Sequence, residues 1–162
     1  MVLLMYVVLR EARKKDMPLI EKFTVETGWK GIPESQRALL DREKWKRHMV
    51  EVFENFYKRE NSKIFVAEDE GQAFVGYVFV GESSDMMTGL GNFGFIYDIF
   101  IEEQSRGMGI GKTLLERAES YCREKSYSRI ALMVATANDS AIRLYNRMGF
   151  KPEQMYMGKE LK

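Results

Sequence analysis

Between Phe93 and Cys122 the chain passes from a strongly apolar run, through a loop with glycine at alternate positions, into an amphipathic helix. No other stretch limits the architecture so tightly. Phe93–Ile101 reads as a strand central in a sheet. Ile110, Leu114, Leu115, Ala118, Tyr121 and Cys122 fall on one face of the helix that follows. A strand, a tight turn and a helix start in direct succession belong to an α/β domain, in which helices cover a sheet.

The flanking segments extend this pattern. Tyr6–Glu11 is expected as a first strand, and Asp16 as the cap of a helix with Pro18 in its first turn, running to about Thr27. Gly28–Pro33 should break that helix. Ser35 restarts helical structure, with Trp45, Met49, Val52, Phe53 and Phe56 on one face. Lys63–Glu68 and Phe74–Val80 are expected strands around a turn at Asp69-Glu70-Gly71-Gln72, and Gly81–Asn92 a polar loop. Ile130–Val134 is a further buried strand. Asn138 or Asp139 caps a helix carrying Ala141, Leu144, Tyr145 and Met148 on one stripe, stopped by Gly149. Gln154–Glu160 is expected as a last strand. No repeat or linker divides the 162 residues, so one mixed-sheet α/β domain over residues 1–162 is expected.

Composition removes several function classes. The formal net charge is +1, so no overall field recruits nucleic acid or an acidic membrane. The basic runs Arg10–Lys15 and Lys44–His48 are broken by Glu11 and Trp45, and read as solvated helix faces. Cys122 is the only cysteine and His48 the only histidine. One of each cannot build a Cys/His metal cage and argues against a His-dependent triad, so no metal is expected. Met1–Leu9 lacks the basic leader and cleavage site of a signal peptide, and no apolar stretch approaches a membrane span. A cytoplasmic location is the expectation.

The loop within Ile99–Lys112 carries the chemistry. Gly107, Gly109 and Gly111 let the backbone turn sharply and leave its N–H groups uncovered. With the positive end of the following helix they suit a pyrophosphate, and Arg106 and Lys112 add charge at the rim. A purely structural turn is the plainer alternative. Gly111-Lys112-Thr113 looks like the end of a nucleotide-triphosphate loop, but Arg106 stands where that loop needs glycine. Gly89-Leu90-Gly91-Asn92-Phe93-Gly94 spells a dinucleotide fingerprint, yet it precedes a strand instead of opening a helix.

Arg-x-x-Gly-x-Gly at Arg106–Gly111 resembles the acetyl-CoA signature of the GNAT superfamily of N-acetyltransferases. Asn138-Asp139-Ser140-Ala141-Ile142-Arg143-Leu144-Tyr145-Asn146-Arg147-Met148-Gly149-Phe150 resembles that superfamily's second cofactor segment. Leu9-Arg10-Glu11-Ala12 followed by Asp16 is similar to its opening strand and helix. The resemblance implies a mixed, mostly antiparallel central sheet flanked by helices on both faces. A splayed strand pair would admit the pantetheine arm of acetyl-CoA like an added strand. It further implies backbone contacts to this co-substrate at Ile99, Phe100 and Ile101, and phosphate contacts at Arg106, Gly107, Met108, Gly109, Ile110, Gly111 and Lys112. Asn138, Ala141 and Tyr145 would complete the cofactor side, although Asn138 serves equally as a helix cap.

Two residues carry the implied chemistry. Attack of an amine on a thioester ejects a thiolate, which needs a proton donor, and the resemblance puts Tyr145 in that role. The alternative for Tyr145 is a core tyrosine on its helix stripe. Asp98 is the candidate base for the amine, since relatives carry a Glu at this point of the strand; Asp is one methylene shorter, which leaves a proton relayed through water as the alternative. Alternation would place it on one face with Ile96 and Phe100, and apolar neighbours would raise its pKa. A structural hydrogen bond is the competing role. Cys122 is expected as a small core residue, so transfer would be direct. The acceptor would be a primary amine, either a small one such as a polyamine or a protein N-terminus. It would approach past Gly28–Arg59 (Trp29, Glu34, Trp45, Phe53) and Gly81–Asn92 (Glu82, Asp85, Met86, Met87). A non-catalytic CoA-binding sensor is the alternative function, and a homodimer is left open.

Overall fold

A computed structural model describes residues 6–85, 89, 91–159 and 161. Five strands pair in chain order: β1 (Val8–Glu11), β2 (Ser62–Glu68), β3 (Phe74–Asp85), β4 (Gly91–Ile101) and β5 (Ile130–Leu132). The first four are antiparallel, and β5 joins β4 in parallel. Helices α1 (Met17–Gly31), α2 (Glu34–Arg37) and α3 (Arg42–Tyr57) precede β2, while α4 (Ile110–Glu124) and α5 (Asp139–Arg147) flank β5 in the chain. The expected mixed, mostly antiparallel sheet with helices on both faces is the observed one.

Each face of the sheet buries its own core. Phe65, Val78, Val80 and Ile96 pack with Leu114, Leu115, Ala118 and Cys122 of α4 and with Tyr145 of α5. On the other face Ile64, Val66, Tyr77 and Phe79 meet Ile20 of α1 and Phe53 of α3. A sheet buried on both faces explains why β2 and β3 read as continuous apolar runs rather than alternating ones.

The ends of the elements depart from expectation for identifiable reasons. Gly28 does not break α1, which continues to Gly31. A Cβ at Gly28 would meet the Trp45 ring at 3.3 Å, so this glycine lets α1 and α3 approach closely. Asp16 does not cap α1 through its side chain. Its carboxylate instead receives Arg10 at 2.7 and 2.9 Å and the Arg13 N–H at 2.6 Å. The helix expected from Ser35 divides into a single turn and α3, because the Asp41 carboxylate accepts the Lys44 N–H at 2.9 Å and starts a new helix. Gly81–Asn92 is not a loop throughout: β3 runs to Asp85 and β4 begins at Gly91, pairing Glu82 with Gly94 and Ser84 with Asn92. Polar side chains on a solvated sheet end hid the backbone pairing. Residues 151–159 form no strand, with Met155, Tyr156 and Met157 exposed. Their alternation could direct a strand only if a sheet edge received it, and none does among the described residues.

One irregularity positions the site. The β3–β4 register shifts between Phe79 and Val80, which pair with Asp98 and Ile96. Tyr97 is the extra residue of a β-bulge. Ile96 therefore belongs to the α4 side, while Tyr97 and Phe100 pack on the α1 side. The expected grouping of Asp98 with Ile96 fails for this reason, and only that with Phe100 holds.

Candidate active site

β5 pairs with β4 only from Gly94 to Ile96. From Tyr97 to Ile101, β4 has no strand beside it on that edge among the described residues, so the two strands splay. The Phe100 carbonyl points at β3, 2.5 Å from where a Cβ of Gly76 would stand. The Glu102 N–H likewise donates to Val75 across that pair at 2.9 Å. Alternation then turns the main chains of Ile99 and Ile101 toward the open gap, and that of Phe100 away from it. The Ile101 carbonyl accepts a hydrogen bond from Arg106 Nε at 3.2 Å, which ties the following loop to the strand end.

The three loop glycines are not equivalent. Gly107 has φ +78 and nothing within 4 Å of a notional Cβ, so its backbone lies open. Gly109, at φ +85, is the residue that starts α4 in the left-handed region. Gly111 is different: a Cβ there would meet Leu144 at 2.8 Å and Ile101 at 3.0 Å. Packing of α4 against α5 and β4 accounts for that glycine. Met108 is half-buried, Ile110 is in the core, and Lys112 is exposed with its ammonium 3.7 Å from Glu116. In the decoy fingerprint, Gly94 lies inside β4 and a Cβ there would collide with the Cys122 sulfur.

α5 supplies the other wall. Asn138 caps it, its oxygen accepting the Ala141 N–H at 3.2 Å and the Ser140 hydroxyl at 3.1 Å. Its amide nitrogen has no partner among the described residues. Ala141 is half-buried against the α4-side core. Tyr145 is buried, edge-on to Phe150 at 5.9 Å between ring centres. Burial, and then the charge of Asp98, push its phenol up to about 12. Tyr145 is thus a neutral donor at any ordinary pH, held within electrostatic reach of Asp98.

Asp98 keeps some solvent contact but is densely surrounded. Burial raises its pKa, while hydrogen bonds from Tyr77, Thr24 and the Ile99 N–H act against that rise. The Tyr77 hydroxyl donates to the carboxylate, and the Thr24 hydroxyl of α1 lies 2.8 Å from the Tyr77 oxygen. Neither Tyr77 nor Thr24 was legible as part of the site. The signal was there: a hydroxyl in the middle of the apolar run Phe74–Val80 must find a partner when buried.

Other candidates separate from this centre. Burial pushes the Cys122 thiol up to about 11, which keeps it protonated and inert. The Glu82 carboxylate is held by Tyr127 at 2.5 Å and Asn61 at 3.1 Å, on the α4 side of the sheet. Through that one oxygen, Oε2, it fastens β3 to the chain before β5. Phe53 is a core residue. The Asp85 side chain and Met86 and Met87 lie outside the described residues. Trp29 and Trp45 pack edge to face at 5.1 Å, and Glu34 is exposed on α2.

The profile of the Acetyltransferase (GNAT) family matches residues 29–150. The chain belongs to this family. It is 30% identical to N-acetyltransferase 8B of Mus musculus over an aligned length of 126, which covers 73% of this chain and 53% of that protein. The chain thus spans about half the length of the mouse relatives it matches. A putative acetyl transferase from Pyrococcus furiosus superposes with a TM-score of 0.80 at 25% identity, covering 96% of this chain and 100% of that one. A predicted acetyltransferase from Clostridium acetobutylicum, solved with acetyl-CoA, shares the fold at a TM-score of 0.70 and 18% identity, over 96% of each chain.

Proposed function

We propose that the protein is an acetyl-CoA-dependent N-acetyltransferase that acetylates a primary amine by direct transfer. The observation that supports this reading is the edge of β4 left without a neighbouring strand from Tyr97 to Ile101 among the described residues, beside the uncovered backbone of Gly107. Asp98 stands on that strand, with Tyr145 near enough for the Asp98 charge to raise its phenol pKa. The Ile99 carbonyl and the Ile101 N–H, turned toward the gap, fit the amides of a pantetheine arm. The uncovered Gly107 and the start of α4 fit its pyrophosphate. Arg106 and Lys112 stand at the rim of that cradle, and the free Asn138 amide faces the same task from α5.

In this reading Asp98 takes a proton from the ammonium, the freed amine forms the C–N bond, and the C–S bond breaks. Tyr145 gives its proton to the departing sulfur and is restored by the second proton that the acylated nitrogen sheds, carried through solvent, while Asp98 returns its own proton to solvent. The acceptor approaches on the α1 side, where Phe23 stacks on Phe100 at 3.9 Å beside Asp98. An aromatic wall ending in a carboxylate suits an amine with a hydrocarbon body, as a polyamine or the N-terminus of a peptide presents. A sensor that binds coenzyme A without turnover would need neither proton group. Thiol release from acetyl-CoA with polyamines, short peptides and neutral arylamines separates the readings. Release with the cationic acceptors is expected. Binding without release to any amine would support the sensor, and faster arylamine turnover would overturn the acceptor class.

A further inference from the structure

We propose that Tyr77 and Thr24 are positioning residues for acetyl transfer, which hold the Asp98 carboxylate in one orientation on the α1 side of β4 and keep it ionised. The inference rests on the reading of Asp98 as the group that accepts the amine proton. The bulge at Tyr97 turns Asp98 onto the same face as Tyr77. In the register Tyr77 stands opposite Phe100 and Phe79 opposite Asp98, so Tyr77 is the diagonal neighbour of Asp98. A diagonal pair is reached only by a long side chain. Tyr77 is fully buried, and its ring lies against Phe100 at 6.1 Å between centres. Phenylalanine would fill that space as well, so packing does not call for the hydroxyl. Burying a hydroxyl is unfavourable unless it is bonded, and the group it donates to is Asp98.

The direction of the chain of hydrogen bonds follows from its end. An ionised carboxylate only accepts, so the single Tyr77 proton points at Asp98. The Thr24 proton is then left for the Tyr77 oxygen or for the carboxylate itself. Thr24 is also buried, on the face of α1 that covers β3. The groups facing Asp98 are Tyr77 from β3, Thr24 from α1, the Ile99 N–H of its own strand and Tyr145 from α5. Among the described residues no lysine, arginine or second carboxylate acts on it. The donors alone therefore oppose the rise that burial imposes, and losing any one of them moves Asp98 further toward its neutral form. Tyr77 has no route to the substrate and acts only through Asp98.

The test is a carbon-NMR titration of the Asp98 carboxyl in the full chain labelled at aspartate, with Asp98→Asn assigning the signal. Tyr77→Phe is expected to raise the midpoint by about one to two pH units, the worth of a hydrogen bond to a charged group. Thr24→Val should raise it less, and Thr24→Ser should restore it, which guards against a packing effect at Thr24. The acid limb of kcat/KM, followed with the amine that gives the fastest thiol release, should move upward by the same amount while the high-pH plateau is kept. A midpoint that Tyr77→Phe leaves in place overturns the inference and leaves the role of Asp98 standing. A midpoint that moves while the limb does not overturns the role of Asp98 instead.

Discussion

Asp98 faces the α1 side of β4 and Tyr145 packs in the α4-side core, and the two depend on different local devices. Asp98 depends on the bulge, since a regular strand would turn it toward α4. Tyr145 depends on burial, which keeps its proton in place until a stronger base appears beside it. Tyr145→Phe keeps the ring and its contact with Phe150, so acetyl-CoA affinity should be nearly unchanged while turnover falls by about 10²–10⁴. Turnover within a factor of two of the parent would make Tyr145 a core residue only. The glycines allow a sharper contrast. Gly107→Ala accepts a backbone strain of about 1 kcal/mol but puts a methyl group into the proposed phosphate cradle, so acetyl-CoA affinity should fall far more than stability. Gly111→Ala presses on Leu144 and Ile101 and should destabilise the fold by about 1–3 kcal/mol. Ligand titration and urea unfolding of the two variants check both. Equal losses of affinity and stability at Gly107 would assign that glycine to the turn alone.

Among the elements, β1 and the start of α1 are fastened by charge. Arg10 bridges Asp16 at 2.7 Å and Glu68 at 2.5 Å, with all three side chains largely buried. The Arg10 guanidinium holds both carboxyls below their ordinary values of 3.8 and 4.5. A lowered folded pKa means that the stability they contribute is complete above the unfolded values and is lost as pH falls through the folded ones. Asp16→Ala leaves a buried cation with one partner fewer and should cost about 3 kcal/mol at neutral pH. In urea unfolding, the gap between parent and variant should narrow as pH drops below about 4. A gap independent of pH would show that packing, not the ion pair, sets the cost. None of this was readable from Leu9-Arg10-Glu11-Ala12 and Asp16, because the partner Glu68 stands on a strand far away in sequence. What was readable had short range: the amphipathic stripe of α4, the cap at Asn138, and the turn at Asp69–Gln72. There the Gln72 N–H returns to the Asp69 carbonyl at 2.9 Å. Gly28 misled because a glycine that makes room for Trp45 looks, in sequence alone, like one that ends a helix.

At the scale of the whole molecule a single mixed-sheet α/β domain was legible from the succession of apolar runs and the glycine loop, and the covering of both sheet faces came with the resemblance to the GNAT superfamily. The splay came with that resemblance as well, while the bulge was not legible, since it is a property of paired strands and no single segment encodes it. Splay and bulge together decide the function proposed here: without the splay no ligand reaches Ile99 and Ile101, and without the bulge Asp98 faces the wrong core. The central claim is that this gap, with the loop from Arg106 to Gly111, is an acetyl-CoA site and not a nucleotide-triphosphate site. Thermal unfolding with each ligand tests it directly. Acetyl-CoA at about 100 times its dissociation constant should add roughly 2.7 kcal/mol, which raises the midpoint of a chain this size by about 5–10 °C. ATP with magnesium should leave the midpoint in place; an equal rise with ATP, or no rise with acetyl-CoA, would contradict the account.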